Sequence, residues 1–202
     1  MKQRTDEWHE ARLGKVTASR ISDIMTKTKS GYGAGRKNYM AELIAERLTG
    51  TWANGFTSAA MERGTEVEPI ARAEYEFETD TVVAEVGFID HPTIEMSGAS
   101  PDGLIDYDGM IEIKCPNTAT HIDTLITKQI AKKYMLQMQW QMACAGRLWC
   151  DFVSYDNRLP EEYRQCIIRV DRDEILCAEM NLEIQIFLGH LVDQMHLLSI
   201  SI

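Results

Sequence analysis

Ser97-Gly-Ala-Ser-Pro-Asp-Gly-Leu-Ile-Asp-Tyr-Asp-Gly-Met-Ile-Glu-Ile-Lys-Cys-Pro116 sets an aspartate, a turn and a Glu-x-Lys close together in one apolar stretch. Met110 to Cys115 reads as a buried strand, because β-branched and apolar residues flank the two charges. Side chains alternate faces along a strand, so Glu112 and Lys114 share one side and Ile111, Ile113 and Cys115 the other. Asp108-Gly109 is a two-residue hairpin signal. Such a turn folds Leu104 to Asp106 back on Ile111 to Ile113 and brings Asp102 near the Glu112/Lys114 face. Charges are rarely buried without partners. A divalent cation between Asp102 and Glu112 would offset that cost, since hard ions such as Mg²⁺ take carboxylate oxygens. Lys114 beside it could position or deprotonate a water and steady developing negative charge. A plainer reading stands beside this one: Ser100-Pro-Asp-Gly is ordinary turn chemistry, and Glu112 with Lys114 can be a same-face ion pair on a half-exposed strand.

The 202 residues suit one domain with a sizeable core. A composition of 45% hydrophobic and 26% charged residues describes a globular chain, not a disordered one. No run of about 18 apolar residues stands out, so no membrane span is expected, and Met1-Lys-Gln-Arg-Thr-Asp-Glu7 lacks the apolar core of a signal peptide. Five cysteines with no C-x-x-C pair point to reduced thiols in a cytoplasm and away from structural zinc. The net charge of −10 argues against a nucleic-acid partner over the whole surface. Its distribution is uneven, however. Residues 1–50 hold ten Lys/Arg against six Asp/Glu, a net +4, and the remainder is −14. An acidic body with a basic N-terminal arm is compatible with phosphate binding at one face only.

Thr5 to Arg12 begins like a short helix capped by Thr5 and stopped by Gly14. Thr17 to Met25 follows as a second helix, whose start offers hydroxyls and free N–H groups to an anion. Arg12 and Ser19 can both point at one phosphate there; equally, Ser19 can be a cap and Arg12 a surface cation. Lys27 to Lys37 is a basic, Gly-rich loop without the spacing of a P-loop. Asn38 to Thr49 reads as a helix with Tyr39, Leu43, Ile44 and Leu48 inward. Ser58 to Phe77 is a longer helical segment that Pro69 either kinks or restarts. Thr81 to Asp90 reads as a strand. His121 to Ile130 and Lys133 to Gly146 read as helices, Trp149 to Tyr155 and Tyr163 to Val170 as strands. Asp171-Arg-Asp-Glu174 resembles a capping box opening a final helix. That helix carries a stripe of Leu176, Met180, Ile184, Phe187, Leu191, Met195 and Leu198 at spacings of three and four. Ile175, Leu182, Ile186 and Leu197 add apolar surface, either a subunit interface or a wide core face. Helices, a central mixed sheet of about five strands, then helices make one α/β domain.

Four blocks in this order resemble the PD-(D/E)-x-K nuclease superfamily and, within it, the lambda-exonuclease or YqaJ-like viral recombinase family. They are Trp8-His-Glu-Ala-Arg-Leu-Gly-Lys-Val-Thr-Ala-Ser19; Arg63-Gly-Thr-Glu-Val-Glu68; Ser100-Pro-Asp-Gly-Leu104 with Glu112-Ile-Lys-Cys-Pro116; and Tyr134-Met-Leu-Gln137. The resemblance covers nearly the whole chain. It implies a restriction-endonuclease-like core in a single domain over residues 1–202. It also implies a Mg²⁺-dependent enzyme, with Mn²⁺ able to substitute. Such an enzyme degrades one strand of linear double-stranded DNA in the 5′→3′ direction, releases 5′-mononucleotides and leaves a 3′ overhang for phage-type recombination. The implied partners are DNA ends, two further copies in a ring-shaped homotrimer, and a single-strand annealing protein for which the final helix and its Leu197–Ile202 tail are candidate docking surfaces. The implied setting is a bacterial cytoplasm, with phage or prophage origin. Carried over by position, Asp102 and Glu112 are the metal carboxylates, Ile113 lends its carbonyl, Lys114 handles the attacking water, and Glu68 is a further acid near the metal. Arg12, Ser19, Ser100 and Gln137 form the pocket for the terminal 5′-phosphate.

Phosphodiester hydrolysis needs a nucleophilic water, charge relief on the phosphoryl oxygens and stabilisation of the leaving 3′ oxygen; metal, two carboxylates and a lysine cover all three. No Ser–His or Cys–His pairing suggests a covalent route. Cys115 reads as a packed thiol on the opposite strand face. Two other readings remain. A structure-specific or restriction-like endonuclease on the same core would cut closed-circular DNA as fast as linear DNA, and the Arg12/Ser19 block speaks against it. A non-catalytic DNA-end-binding module would have no use for Asp102, Glu112 and Lys114 together.

Overall fold

The computed structural model describes residues 2–29, 31–52 and 58–200. In chain order its elements are α1 (Asp6–Arg12), β1 (Val16–Thr17), a single 3₁₀ turn (Ala18–Arg20), α2 (Ile21–Met25), β2 (Lys27–Thr28), β3 (Gly31–Tyr32), α3 (Ala34–Thr49) and α4 (Ala59–Thr79). Then follow β4 (Val83–Ala84), β5 (Ile89–Asp90), β6 (Ser97–Ala99), β7 (Gly103–Ile105), β8 (Gly109–Lys114), α5 (Thr118–Thr127), α6 (Lys132–Ala145), β9 (Trp149–Tyr155), β10 (Gln165–Asp171) and α7 (Glu174–Ile200).

The main sheet has five strands in the order β10-β9-β8-β7-β4. It is mixed, as the sequence implies. β8 runs antiparallel to β7 and parallel to β9, and β10 closes the sheet antiparallel to β9. A parallel pair needs a crossover connection, and α5 and α6 supply the one between β8 and β9. β8 is therefore a central strand, which is why its apolar residues and Glu112 are all buried. Alternation sorts its side chains. Ile111 and Ile113 pack with Val67, Ala71 and Tyr75 of α4, while Met110 packs with Met138 and Met142 of α6. Glu112 and Lys114 share the Met110 parity and so face α6. Burying such side chains contributes roughly 1.5–3 kcal/mol for each large apolar one. A third cluster joins α2, α3, α6 and α7 through Ile21, Tyr39, Trp140 and Phe187.

A smaller sheet, β1-β6-β5, brings the N-terminal block beside the site. β1 pairs parallel with β6, Val16 opposite Ser97 and Thr17 opposite Gly98. Gly98 is fixed by close approach: a Cβ there would meet the Phe88 ring and lie 2.5 Å from the Ile89 carbonyl oxygen. Overpacking against backbone cannot relax cheaply. Gly98→Ala is expected to lower stability by about 1–3 kcal/mol, read as a fall of several degrees in Tm by calorimetry.

Several local expectations are corrected. The β7–β8 hairpin turns through Asp106, Tyr107 and Asp108, since Ile105 pairs with Gly109. Asp106 takes the left-handed conformation (φ 45°), and Gly109 lies within the strand, where a Cβ would strike the Trp149 ring. The expected strand over Thr81–Asp90 is two short strands in different sheets. β1 and the 3₁₀ turn precede α2, so the second helix starts at Ile21. α3 starts at Ala34 and takes Arg36 and Lys37 out of the basic loop, whose first part is the β2–β3 hairpin; Ser30 at its tip lies outside the described residues. Leu48 points to solvent. α4 runs unbroken through Pro69. The cap of α7 is Asp173, whose Oδ1 accepts from the Ile175 and Leu176 N–H groups, both at 3.0 Å. By length and composition alone α7 is long and apolar enough to cross a membrane, a test that core helices also pass. Its Met180, Ile184, Phe187 and Leu191 are fully buried in the domain core, which is what a core helix does. Ile175, Leu182, Ile186, Leu197 and Leu198 are exposed; Ser201 and Ile202 of the tail lie outside the described residues.

Candidate active site

β7 ends the local pairing early. Gly103 is opposite Ile111, so no β7 residue faces Ile113. Asp102 takes that place: its Oδ2 accepts from the Ile113 N–H at 2.7 Å. The N–H and C=O of one residue leave a strand on the same side, so the Ile113 carbonyl opens beside Asp102. Glu112 has no exposed surface. Its Oε1 accepts from the Lys114 ammonium and from Gln137 Nε2 at 2.6 Å, and its Oε2 from Gln141 Nε2 at 2.7 Å. The hairpin thus brings Asp102, Glu112 and Lys114 together as expected.

Burial, then the neighbouring Glu112, pushes the Asp102 carboxyl well above the usual carboxylate range. Burial opposes the Lys114 charge, but Glu112 and Asp102 outweigh it and hold this amine above the ordinary lysine value. A buried and a half-buried carboxylate beside one ammonium are short of positive charge, and the donors that converge here are all oxygens. That set fits a hard divalent cation. Among the described residues no three His, Cys, Asp or Glu side chains close around one point, so the fit rests on Asp102, Glu112 and the Ile113 carbonyl. Glu68 stands behind them on α4. It accepts from Arg4 at 2.7 Å and Arg72 at 3.0 Å, and its charge contributes to the rise at Asp102. Burial, then Glu68, pushes the Cys115 thiol up to about 12, in keeping with a packed, unreactive cysteine.

Arg12, Ser19, Ser100 and Gln137 line one cavity of about 140 Å³. Trp8 organises it. Arg12 lies one turn along α1 and stacks its guanidinium 4.1 Å from the Trp8 ring centroid; the indole Nε1 donates to Ser100 Oγ at 2.8 Å. Burial lowers the Arg12 pKa, and among the described residues no carboxylate pairs with it. Glu46 and Tyr39 oppose that shift only through their charges at a distance, which leaves the guanidinium N–H groups able to donate to an anion. Gln3 pins the adjacent turn, donating to the Pro101 and Val86 carbonyls at 2.8 and 3.0 Å. Gln137 belongs to both halves, lining the cavity while bonded to Glu112.

Sequence reasoning missed Gln141, Trp8 and Gln3. Gln141 had one available signal, its i+4 spacing from Gln137 on the same helix face. It also missed what fixes the far end of β8. Arg63 donates to the Cys115 and Pro116 carbonyls, at 3.4 and 3.3 Å, and to Asp156 at 2.9 Å.

A mixed five-stranded sheet, with Asp102 and Glu112-x-Lys114 at its centre and a polar cavity alongside, defines a nuclease core of the PD-(D/E)-x-K kind. The chain belongs to the YqaJ-like viral recombinase family, whose domain matches residues 7–148. It is similar to the alkaline exonuclease LHK-Exo from Laribacter hongkongensis, at 55% identity over 98% of this chain and 97% of that one, with a TM-score of 0.92. A second structure of LHK-Exo, in complex with dAMP, aligns equally well. A phage-related exonuclease from Haemophilus somnus 129PT shares the fold at 18% identity, over 93% of this chain and 96% of that one, with a TM-score of 0.74. No curated protein matches in sequence.

Proposed function

We propose that the chain is a Mg²⁺-dependent exonuclease that degrades one strand of linear duplex DNA from a phosphorylated 5′ end, releasing 5′-mononucleotides. The observation that carries this reading is the wall shared by the two halves of the site: Gln137 lines the anion cavity and donates to Glu112 at 2.6 Å. A cavity that seats one phosphate this close to the carboxylates sets the scissile bond by the position of the strand's end. An endonuclease has no need of such a stop.

Asp102, Glu112 and the Ile113 carbonyl would hold the cation, with Glu68 as a further acid behind them. When bound, the cation supplies positive charge to the phosphoryl oxygens and a more acidic water. Lys114, held charged by Glu112 and Asp102, orients the attacking water and stabilises the charge that develops as the phosphate is attacked. Arg12 grips the terminal phosphate through charged N–H donors, with Ser19, Ser100 and Gln137 completing its hydrogen bonds. The wider reading includes a homotrimeric ring, a single-strand annealing partner and a bacterial cytoplasmic setting. It draws on the family and on the exposed apolar residues of α7.

Rates on linear duplex carrying 5′-phosphate or 5′-hydroxyl ends test the cavity. The wild type is expected to favour the phosphate by about tenfold or more, the worth of a charge-assisted hydrogen bond. Arg12→Ala should bring the two rates together with little change on the hydroxyl end. An undiminished preference in the variant would remove the cavity from the account.

A further inference from the structure

We propose that Gln141 is a positioning residue for Glu112, the donor that keeps this carboxylate aimed while the other two donors serve the substrate. The inference deepens the nuclease reading and rests on it.

Glu112 is fully buried and has three donors: Lys114, Gln137 and Gln141. The proposed reaction gives two of them other work, Lys114 at the attacking water and Gln137 at the terminal phosphate. Gln141 lines the same cavity as Gln137, but its Nε2 is taken up by Glu112 and the Ser100 carbonyl and its Oε1 is buried. It lies one turn beyond Gln137 on α6, on the same helix face, and has no exposed surface. Its Nε2 spans two parts of the site, at 2.7 Å from Glu112 Oε2 and 3.4 Å from the Ser100 carbonyl. A buried carboxylate accepts only N–H here, so the amide orientation is fixed by charge.

That orientation has a consequence which a packing role does not explain. Gln141 Oε1 is buried without a partner. A methionine of similar length would fill the same space on this Met-rich helix and bury no polar atom. The fold tolerates the orphaned oxygen, and what it keeps in exchange is the N–H on Glu112.

Gln141→Met separates the two roles. The test compares it with the wild type and with Lys114→Ala on 5′-phosphorylated linear duplex. We expect Gln141→Met to lower kcat by about tenfold to a hundredfold, as loss of an outer hydrogen bond to a metal ligand does. KM and the ratio of rates on phosphate and hydroxyl ends should stay unchanged. The rise in Tm on adding Mn²⁺ should shrink, because the misaimed carboxylate binds the ion more weakly. Gln141→Asn, which keeps the donor on a shorter stem, should recover part of kcat. Three results would overturn the proposal: a wild-type kcat in Gln141→Met, an unchanged Mn²⁺-induced rise in Tm, or a kcat loss that comes with a lost phosphate preference. Full activity in Lys114→Ala would instead strike the nuclease mechanism, independently of Gln141.

Discussion

Lys114→Ala is expected to leave duplex DNA bound and uncut. The ammonium sits on Glu112 Oε1 at the end of β8 and is held charged by two carboxylates. Removing it deletes the charge proposed to act on the attacking water, and losses of this kind are about 10²–10³-fold or larger in kcat. The residues proposed to seat the end lie on α1, the 3₁₀ turn, the turn at Ser100 and α6, so affinity should survive. Fluorescence anisotropy with Ca²⁺ and a labelled duplex reads binding, and release of acid-soluble nucleotide with Mg²⁺ reads cleavage. Because the variant also strips a buried carboxylate of its counter-charge, its Tm without metal should fall. Mg²⁺ should restore much of that loss by supplying the missing charge. Cleavage at the wild-type rate would remove Lys114 from the chemistry.

Asp102→Asn is expected to abolish cleavage while making the metal-free protein more stable at neutral pH. The asparagine oxygen can still accept from Ile113 N–H, so the turn keeps its hydrogen bond. What is lost is one of two oxygen-rich anions for the cation, with an expected fall of about 10³-fold or more in rate. The stability effect follows from the raised Asp102 pKa. A carboxyl whose folded pKa lies above its unfolded value stabilises below the unfolded value, about pH 4, and that contribution is lost as pH rises through the folded value. Metal-free wild type should therefore lose Tm across that window relative to Asp102→Asn. Adding Mg²⁺ should raise the wild type and leave the variant nearly unmoved, and EDTA should reverse the difference. Parallel pH–Tm curves for the two proteins would show that Asp102 carries no such burden.

The strand that carries Glu112 and Lys114 was legible because its signal is local. Met110-Ile-Glu-Ile-Lys alternates through a buried sheet, and any register that buries Ile111 and Ile113 against α4 turns Glu112 and Lys114 toward α6. Its turn was misread for a physical reason. Gly109 looked like a hairpin glycine, but the space it leaves is filled by the Trp149 ring, and Asp106 adopts the left-handed conformation instead. Short polar residues tolerate that conformation, so Asp-Gly was a sound signal attached to the wrong residue. Arg12, Ser19, Ser100 and Gln137 became one cavity only through tertiary contacts. Trp8 needed α1 folded against the Ser100 turn, and Gln141 needed α6 laid over β8. No local pattern carries either contact. In α7 the core side was legible: Met180, Ile184, Phe187 and Leu191 of the stripe pack into the core with α2, α3 and α6, and only Leu198 at its end is exposed.

The most direct test of the account is a time course on linear duplex labelled at the 5′-phosphorylated end of one strand and differently at its 3′ end, with Mg²⁺, beside covalently closed circular DNA. The account predicts that the 5′ label appears first, as a mononucleotide, and that the circle stays intact. Early release of the 3′ label, or linearisation of the circle as fast as the linear duplex is consumed, would contradict it.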